Sequence, residues 1–138
     1  MTFSAEKKTG RLLIVAGCLL AAIGVAFGAI GAHFLEKWLA NNFEDNLRRE
    51  DIWDVGVRYQ MYCAFGLIAI GLASGLFGAK GKLAGVFMFA GALLFSGCLY
   101  GYVLTNVKPL VHIVPLGGFS MIIAWVLFGW SMLKAKDA

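Results

Sequence analysis

Four long stretches of this chain carry no Lys, Arg, Asp or Glu: residues 12–35, 59–79, 83–107 and 109–133, of 24, 21, 25 and 25 residues. A helix rises about 1.5 Å per residue, so ~20 apolar residues cross the ~30 Å hydrocarbon layer of a bilayer. Each stretch is long enough. The pattern predicts four membrane-spanning helices over about 12–35, 57–77, 83–104 and 113–133, forming one membrane domain over 1–138. With 95 of 138 residues in uncharged runs, a soluble globular domain is excluded. The polar segment 1–11 ahead of the first run is like the start of a signal peptide. A secretory apolar core is only ~7–15 residues, however, so the first run is read as a retained helix.

Small residues are periodic within the first run. Gly10, Gly17, Gly24 and Gly31 recur every seven positions, with Ala21 and Gly28 between them. A seven-residue repeat predicts a left-handed seam along one face. Gly71-x-x-x-Gly75 and Gly97-x-x-x-Gly101 add close-approach positions on the second and third spans. Lipid offers little hydrophobic drive between helices, so packing relies on small residues that let backbones touch. The seam is read as packing within one chain, with a homo-oligomer as its alternative use.

The connections are unequal. Residues 78–82 make a tight turn, so the second and third helices are antiparallel neighbours, and 105–112 is also short and contains Pro109. The first connection, 36–56, is long. In it Trp38, Leu39, Phe43, Leu47, Ile52 and Trp53 recur among charges, which predicts one or two short amphipathic helices in the outer interface. A plain solvated loop is the simpler reading. Lys and Arg near the ends of the spans set orientation. With the N-terminus in the cytoplasm, the inner segments hold Lys7, Lys8, Arg11, Lys80, Lys82, Lys134 and Lys136. The outer segments hold Lys37, Arg48, Arg49, Arg58 and Lys108. Seven against five places both termini inside.

Composition agrees with this picture and narrows the function classes. Hydrophobic residues make up 60% and charged residues 14% of the chain, against about 45–50% and about 25% in soluble domains. The net charge of +4 is spread over single or paired cations without a basic tract, which argues against nucleic-acid binding. Cys18, Cys63 and Cys98 all lie inside apolar runs with no CxxC pair, so they read as small buried hydrophobes rather than a disulfide framework.

Polar side chains at membrane depth are costly, and each invites a functional hypothesis. Here they gather toward the outer end: His33 on the first helix, Arg58, Tyr59, Gln60 and Cys63 on the second, Ser96 and Tyr100 on the third. His112, Pro115, Gly117 and Gly118 open the fourth, with Pro115 suited to a first helical turn. Tyr59, Tyr62 and Cys63 share one stripe, and Ser96 and Tyr100 share another, while His33 lies off the glycine stripe. The simpler readings are structural. His33 donates to a backbone carbonyl or to Gln60, Arg58 snorkels to the interface, and the tyrosines form an aromatic belt. A soft metal would need His33, Cys63, Cys98 and His112 to converge, and no spacing signature supports it. No phosphate loop, Ser-x-x-Lys, His-Glu-x-x-His or pair of carboxylates within a span is present. Catalysis and a metal or cofactor are not expected.

Several stretches together resemble one family. They are Gly28-Ala29-Ile30-Gly31-Ala32-His33, then Trp53-Asp54-Val55-Gly56-Val57-Arg58-Tyr59-Gln60-Met61-Tyr62, then Phe95-Ser96-Gly97-Cys98-Leu99-Tyr100, and finally Pro115-Leu116-Gly117-Gly118. In order and spacing they resemble the small bacterial membrane proteins grouped as domain of unknown function 423, over residues 12–133. The family pattern has His directly after Tyr-Gln-x-Tyr, where this chain has Cys63. The resemblance implies a multi-pass inner-membrane protein and carries no activity.

The expectation is therefore an all-α, antiparallel four-helix membrane bundle with an interfacial segment between its first two helices. Its role is read as structural, accessory or envelope-maintaining, with the bilayer and a second copy or another membrane protein as partners. The alternative is a binder or conductor of a small solute or metal, lined by His33, Gln60, Cys63, Ser96 and Tyr100.

Overall fold

A computed structural model describes residues 2–135. Lys136, counted above among the inner cations, lies outside the described residues. Among those described the chain is helical, with no strand. Helix α1 (Thr2–Ile30) passes through a wider π-helical turn, Gly31–Leu35, into α2 (Glu36–Asn42). Helix α3 (Asn46–Phe77) is unbroken, and α4 (Lys82–Ala92) passes through a second π turn, Leu93–Gly97, into α5 (Cys98–Thr105). Helix α6 (Pro109–Leu133) completes the order. Counting each pair joined by a π turn as one, four helices are long and apolar enough to cross a membrane: Ser4–Asn42, Asn46–Phe77, Lys82–Thr105 and Pro109–Leu133.

The glycine seam decides how the first two pack. A methyl group on Gly10 would come within 2.5 Å of the Gly71 carbonyl oxygen, and one on Gly17 within 2.7 Å of that of Ala64. On Gly24 it would meet Met61 Sδ at 2.7 Å, and on Gly31 the Trp53 ring at 2.9 Å. Numbers on α3 fall as those on α1 rise. The seam is thus filled by α3 of the same chain and is not free for a second copy. Gly28 is looser, with Val57 at 3.6 Å, and Ala21 is half-buried. Gly71 meets Gly10 from the other side and Gly101 meets Leu110, but Gly75 and Gly97 would meet nothing within 4 Å. Two of the expected close-approach positions are open.

Helix α3 is the central element. Its buried face runs Arg49, Trp53, Gly56, Gln60, Cys63, Leu67, Ile70 and Ser74, in steps of three and four that keep one stripe inward. Around it lie two cores. Cys63, Leu67 and Ile70 pack with Ala84, Met88, Ala92, Met121 and Ala124. Trp53 packs with Leu35, Leu39, Tyr100 and Val103.

This second core bears on 36–56, which is helical rather than a plain loop: α2 continues the first helix to Asn42, α3 begins at Asn46, and only 43–45 lie outside a helix. Of its apolar residues Leu39 and Trp53 are buried in this core, while Trp38 and Leu47 are exposed. Gly78, at φ 63°, closes α3 in the left-handed conformation that glycine adopts without strain, as the tight turn required. Pro115 also differs. Helix α6 starts at Pro109, which takes the first-turn position, and Pro115 sits inside the helix. Its missing N–H leaves the Val111 carbonyl without its usual intrahelical donor.

Candidate functional site

Built up from α3, the buried polar residues at the α2–α3 end form two separate constellations. The deeper one centres on Gln60, 4% exposed. Its Nε2 donates to the Leu20 carbonyl oxygen on α1 at 2.8 Å, while its Oε1 accepts from the Tyr100 hydroxyl on α5 at 2.8 Å. One side chain therefore ties three helices. Two glycines make room for it. A methyl on Gly56 would stand 2.8 Å from Tyr100 Cε1, and one on Gly24 would stand 3.5 Å from Gln60 Nε2.

Above Gln60 lies an aromatic knot. Trp53 and Tyr100 have ring centroids 4.5 Å apart, and Phe27 meets the Tyr100 ring edge-on at 4.9 Å. Trp53 Nε1 donates to the Phe27 carbonyl oxygen at 2.9 Å. Both indole and phenol thus keep their polar atoms paired, as buried Trp and Tyr require.

The second constellation is nearer the helix ends and centres on Arg49, 2% exposed. Its Nη1 donates to the carbonyl oxygens of Val103 at 3.1 Å and Tyr102 at 3.3 Å. Nη2 donates to Asn106 Oδ1 at 2.8 Å, and Nε to Asp45 Oδ1 at 2.7 Å. The guanidinium also stands 3.9 Å over the Phe43 ring. The last carbonyls of a helix lack partners and carry partial negative charge, so a cation there both satisfies and neutralises the end of α5. Asn106 takes the left-handed conformation, φ 58°, that ends α5. The Arg49 hydrogen bond holds the Asp45 carboxyl below the usual carboxylate range.

Between the π turn Gly31–Leu35 and α3 lies a cavity of about 150 Å³, lined by Gly31, Ala32, Leu35, Glu36, Glu50, Trp53 and Asp54. Glu50, on the charged segment that precedes the uncharged run of α3, has a buried Oε1 without a partner among the described residues.

The residues singled out by sequence are distributed as follows. Gln60 and Tyr100 are brought together directly. Cys63 is fully buried in the apolar core, and Ser96, 1% exposed, has its hydroxyl buried without a partner among the described residues. His33, Arg58 and Tyr59 are exposed. The expected His33–Gln60 hydrogen bond does not form, because both ends of Gln60 are committed elsewhere. Tyr59 stacks with Phe95 at 4.5 Å on the outside of the α3–π-turn contact. His112 is exposed, and among the described residues no group of three or more His, Cys, Asp or Glu is placed to hold a metal ion. Arg49 was counted in the sequence only as a loop charge. Its signal was its position on the stripe that continues through Trp53, Gly56 and Gln60.

Comparison with known proteins gives a consistent set. The family described as "Protein of unknown function (DUF423)" matches residues 27–118. A UPF0382 membrane protein of Staphylococcus epidermidis is 39% identical over 124 residues, which is 90% of this chain and 97% of the relative. The UPF0382 membrane protein YwdK of Bacillus subtilis is 36% identical over 126 residues, 90% of this chain and 98% of the relative. One of Staphylococcus aureus is 38% identical over 117 residues, 85% of this chain and 91% of the relative. No solved structure matches.

Proposed function

The chain belongs to the DUF423 family of membrane proteins, and from that premise we propose that it acts as a rigid intramembrane scaffold with a structural or accessory role in the cell envelope. Its relatives are membrane proteins of bacteria, and its four long apolar helices suit an inner, cytoplasmic membrane. In this reading residues 1–138 are one domain, an antiparallel four-helix bundle. The falling register of α3 against α1 supports the antiparallel arrangement. Both termini lie in the cytoplasm, supported by the excess of Lys and Arg at that end. Its partners are the bilayer and, on the outward apolar faces, a second copy or another membrane protein.

One observation carries the scaffold reading: Gln60 spends both its donor and its acceptor on other helices. A polar group kept for a solute would present a free atom to a cavity, whereas this one joins α1, α3 and α5. The binder alternative built on His33, Gln60, Cys63, Ser96 and Tyr100 finds its residues apart: His33 is exposed and Cys63 lies in the apolar core. The test is a melting curve of the purified protein in detergent. Gln60→Leu with Tyr100→Phe is expected to lower the midpoint clearly, and an unchanged midpoint overturns the scaffold reading. Orientation is tested separately. A cysteine replacing the exposed Glu44 is expected to react with an impermeant thiol reagent on whole cells, and absence of labelling reverses the topology.

A further inference from the structure

Residues that carry cations come from two distant parts of the chain to the end of the molecule opposite the α2–α3 connection. Ser74, fully buried on α3, is the point they share. A methyl on Gly10 would lie 3.4 Å from Ser74 Cβ, and one on Gly81 would press on Ser74 Oγ. Arg11 follows Gly10, while Lys80 and Lys82 flank Gly81, so the backbone positions of the three cations lie beside one short stretch of α3. Lys8 stands one turn before Arg11 on the same face of α1. All four side chains are exposed, and among the described residues none of them makes an ion pair. Glu6 is the one described acid at this end, whereas Glu36, Glu44, Asp45, Glu50, Asp51 and Asp54 crowd the other.

Two further features bear on what these cations meet. Gly75, packed beside Gly10, leaves open space where a methyl would touch nothing within 4 Å. Immediately past the cations the surface becomes apolar and exposed, at Leu12, Leu76 and Leu83. A ligand that fits carries an anion at one end and hydrocarbon at the other. We propose that Arg11, Lys80 and Lys82, with Lys8, bind the phosphate of an anionic phospholipid headgroup, whose acyl chains lie along Leu12 and Leu83. Arg11 supplies a forked donor for phosphate oxygens, and the lysines supply point charges. Cations at the membrane surface attract anionic lipid additively, and the attraction is screened by salt. A free phosphate could meet the same cations but not the apolar strip.

The test uses the full-length protein in phosphatidylcholine nanodiscs with and without phosphatidylglycerol, reading the unfolding midpoint and the lipid retained in native mass spectrometry. The variant Arg11→Gln/Lys80→Gln/Lys82→Gln is compared with Lys37→Gln/Arg48→Gln/Lys108→Gln, which removes equal charge from exposed positions elsewhere. Phosphatidylglycerol is expected to stabilise and stay bound to the native protein and to the second variant. The first variant is expected to lose apparent affinity about tenfold or more. Equal losses in both variants would show an effect of net charge and overturn the site. Equal stabilisation by inorganic phosphate in phosphatidylcholine alone would assign the cations to a free anion and overturn the lipid reading.

Discussion

Nη2 of Arg49 donates to Oδ1 of Asn106 at 2.8 Å, so a cation from the start of α3 and a left-handed residue beyond α5 close the same helix end. Around that bond the guanidinium also covers the Tyr102 and Val103 carbonyl oxygens. Replacing it by Met takes the guanidinium donor from the buried Val103 carbonyl oxygen and from Asn106 Oδ1, while the Tyr102 oxygen keeps the Asn106 N–H. Arg49→Met is expected to cost about 2–3 kcal/mol of stability. Arg49→Lys keeps the charge but loses the fork, and is expected to recover only part of that. Denaturant unfolding in detergent measures both, and a loss within error of zero for Met would remove Arg49 from the architecture.

The Gln60–Tyr100 hydrogen bond makes a second, independent prediction. Hydrogen bonds between transmembrane helices are worth less than their isolation from water suggests, because the unfolded chain in the membrane also finds partners. A double-mutant cycle of Gln60→Leu and Tyr100→Phe is expected to return a coupling of about 0.6–1.5 kcal/mol. Strictly additive losses would mean the two side chains act separately.

Glycine substitutions should sort by register rather than by motif. Gly71→Ala places a methyl 2.6 Å from the Gly10 carbonyl oxygen and cannot be accommodated without separating α1 from α3. A loss of about 1–3 kcal/mol is expected from such overpacking. Gly75→Ala, four residues on and facing open space, is expected to be neutral or to gain up to about 1 kcal/mol from helix propensity. Melting midpoints that moved equally would show that the Gly-x-x-x-Gly pattern, not the contact, decides.

The Asp45–Arg49 contact gives stability a dependence on pH. The Arg49 hydrogen bond lowers the Asp45 carboxyl, so its contribution is present above the usual aspartate range and fades as pH falls through the folded value. Asp45→Asn is expected to remove this acid-side loss. Midpoints recorded across pH for the two proteins check the sign.

Much of this fold could be read from residue order alone, because lipid imposes so few solutions. Runs without charge can only be spans, and a glycine every seventh position can only be a packed seam. Gln60 and Tyr100 stood out for the same reason, as polar side chains at a depth where each needs a partner. Arg49 did not, since an arginine among acids and polar residues looks solvated unless its helix is known to continue. The near-continuous helix across 36–56 was not legible for the same reason, since Leu39 and Trp53 among charges do not show that α2 and α3 reach within three residues of each other. The π turns had no sequence signature, and each changes the phase of its helix, so periodicity counted through Gly31 or Leu93 points side chains at the wrong neighbours.

The unequal burial of the helices has a consequence for how the chain enters the bilayer. The most apolar 18 residues of the first long helix have a mean hydropathy of 2.6 and are 11% buried, while those of α3 have 1.6 and are 50% buried. The first can leave the translocation channel and rest in lipid by itself, because almost everything it exposes is hydrocarbon. Helix α3 brings Arg49 at its head and Gln60 within the span, and a lone glutamine in lipid is costly. By then the Leu20 carbonyl oxygen that receives Gln60 is already in place. For Trp53 and Gln60 the chain order thus supplies the acceptor before the donor that needs it, and α1 serves as a resident template on which its less apolar successor is threaded.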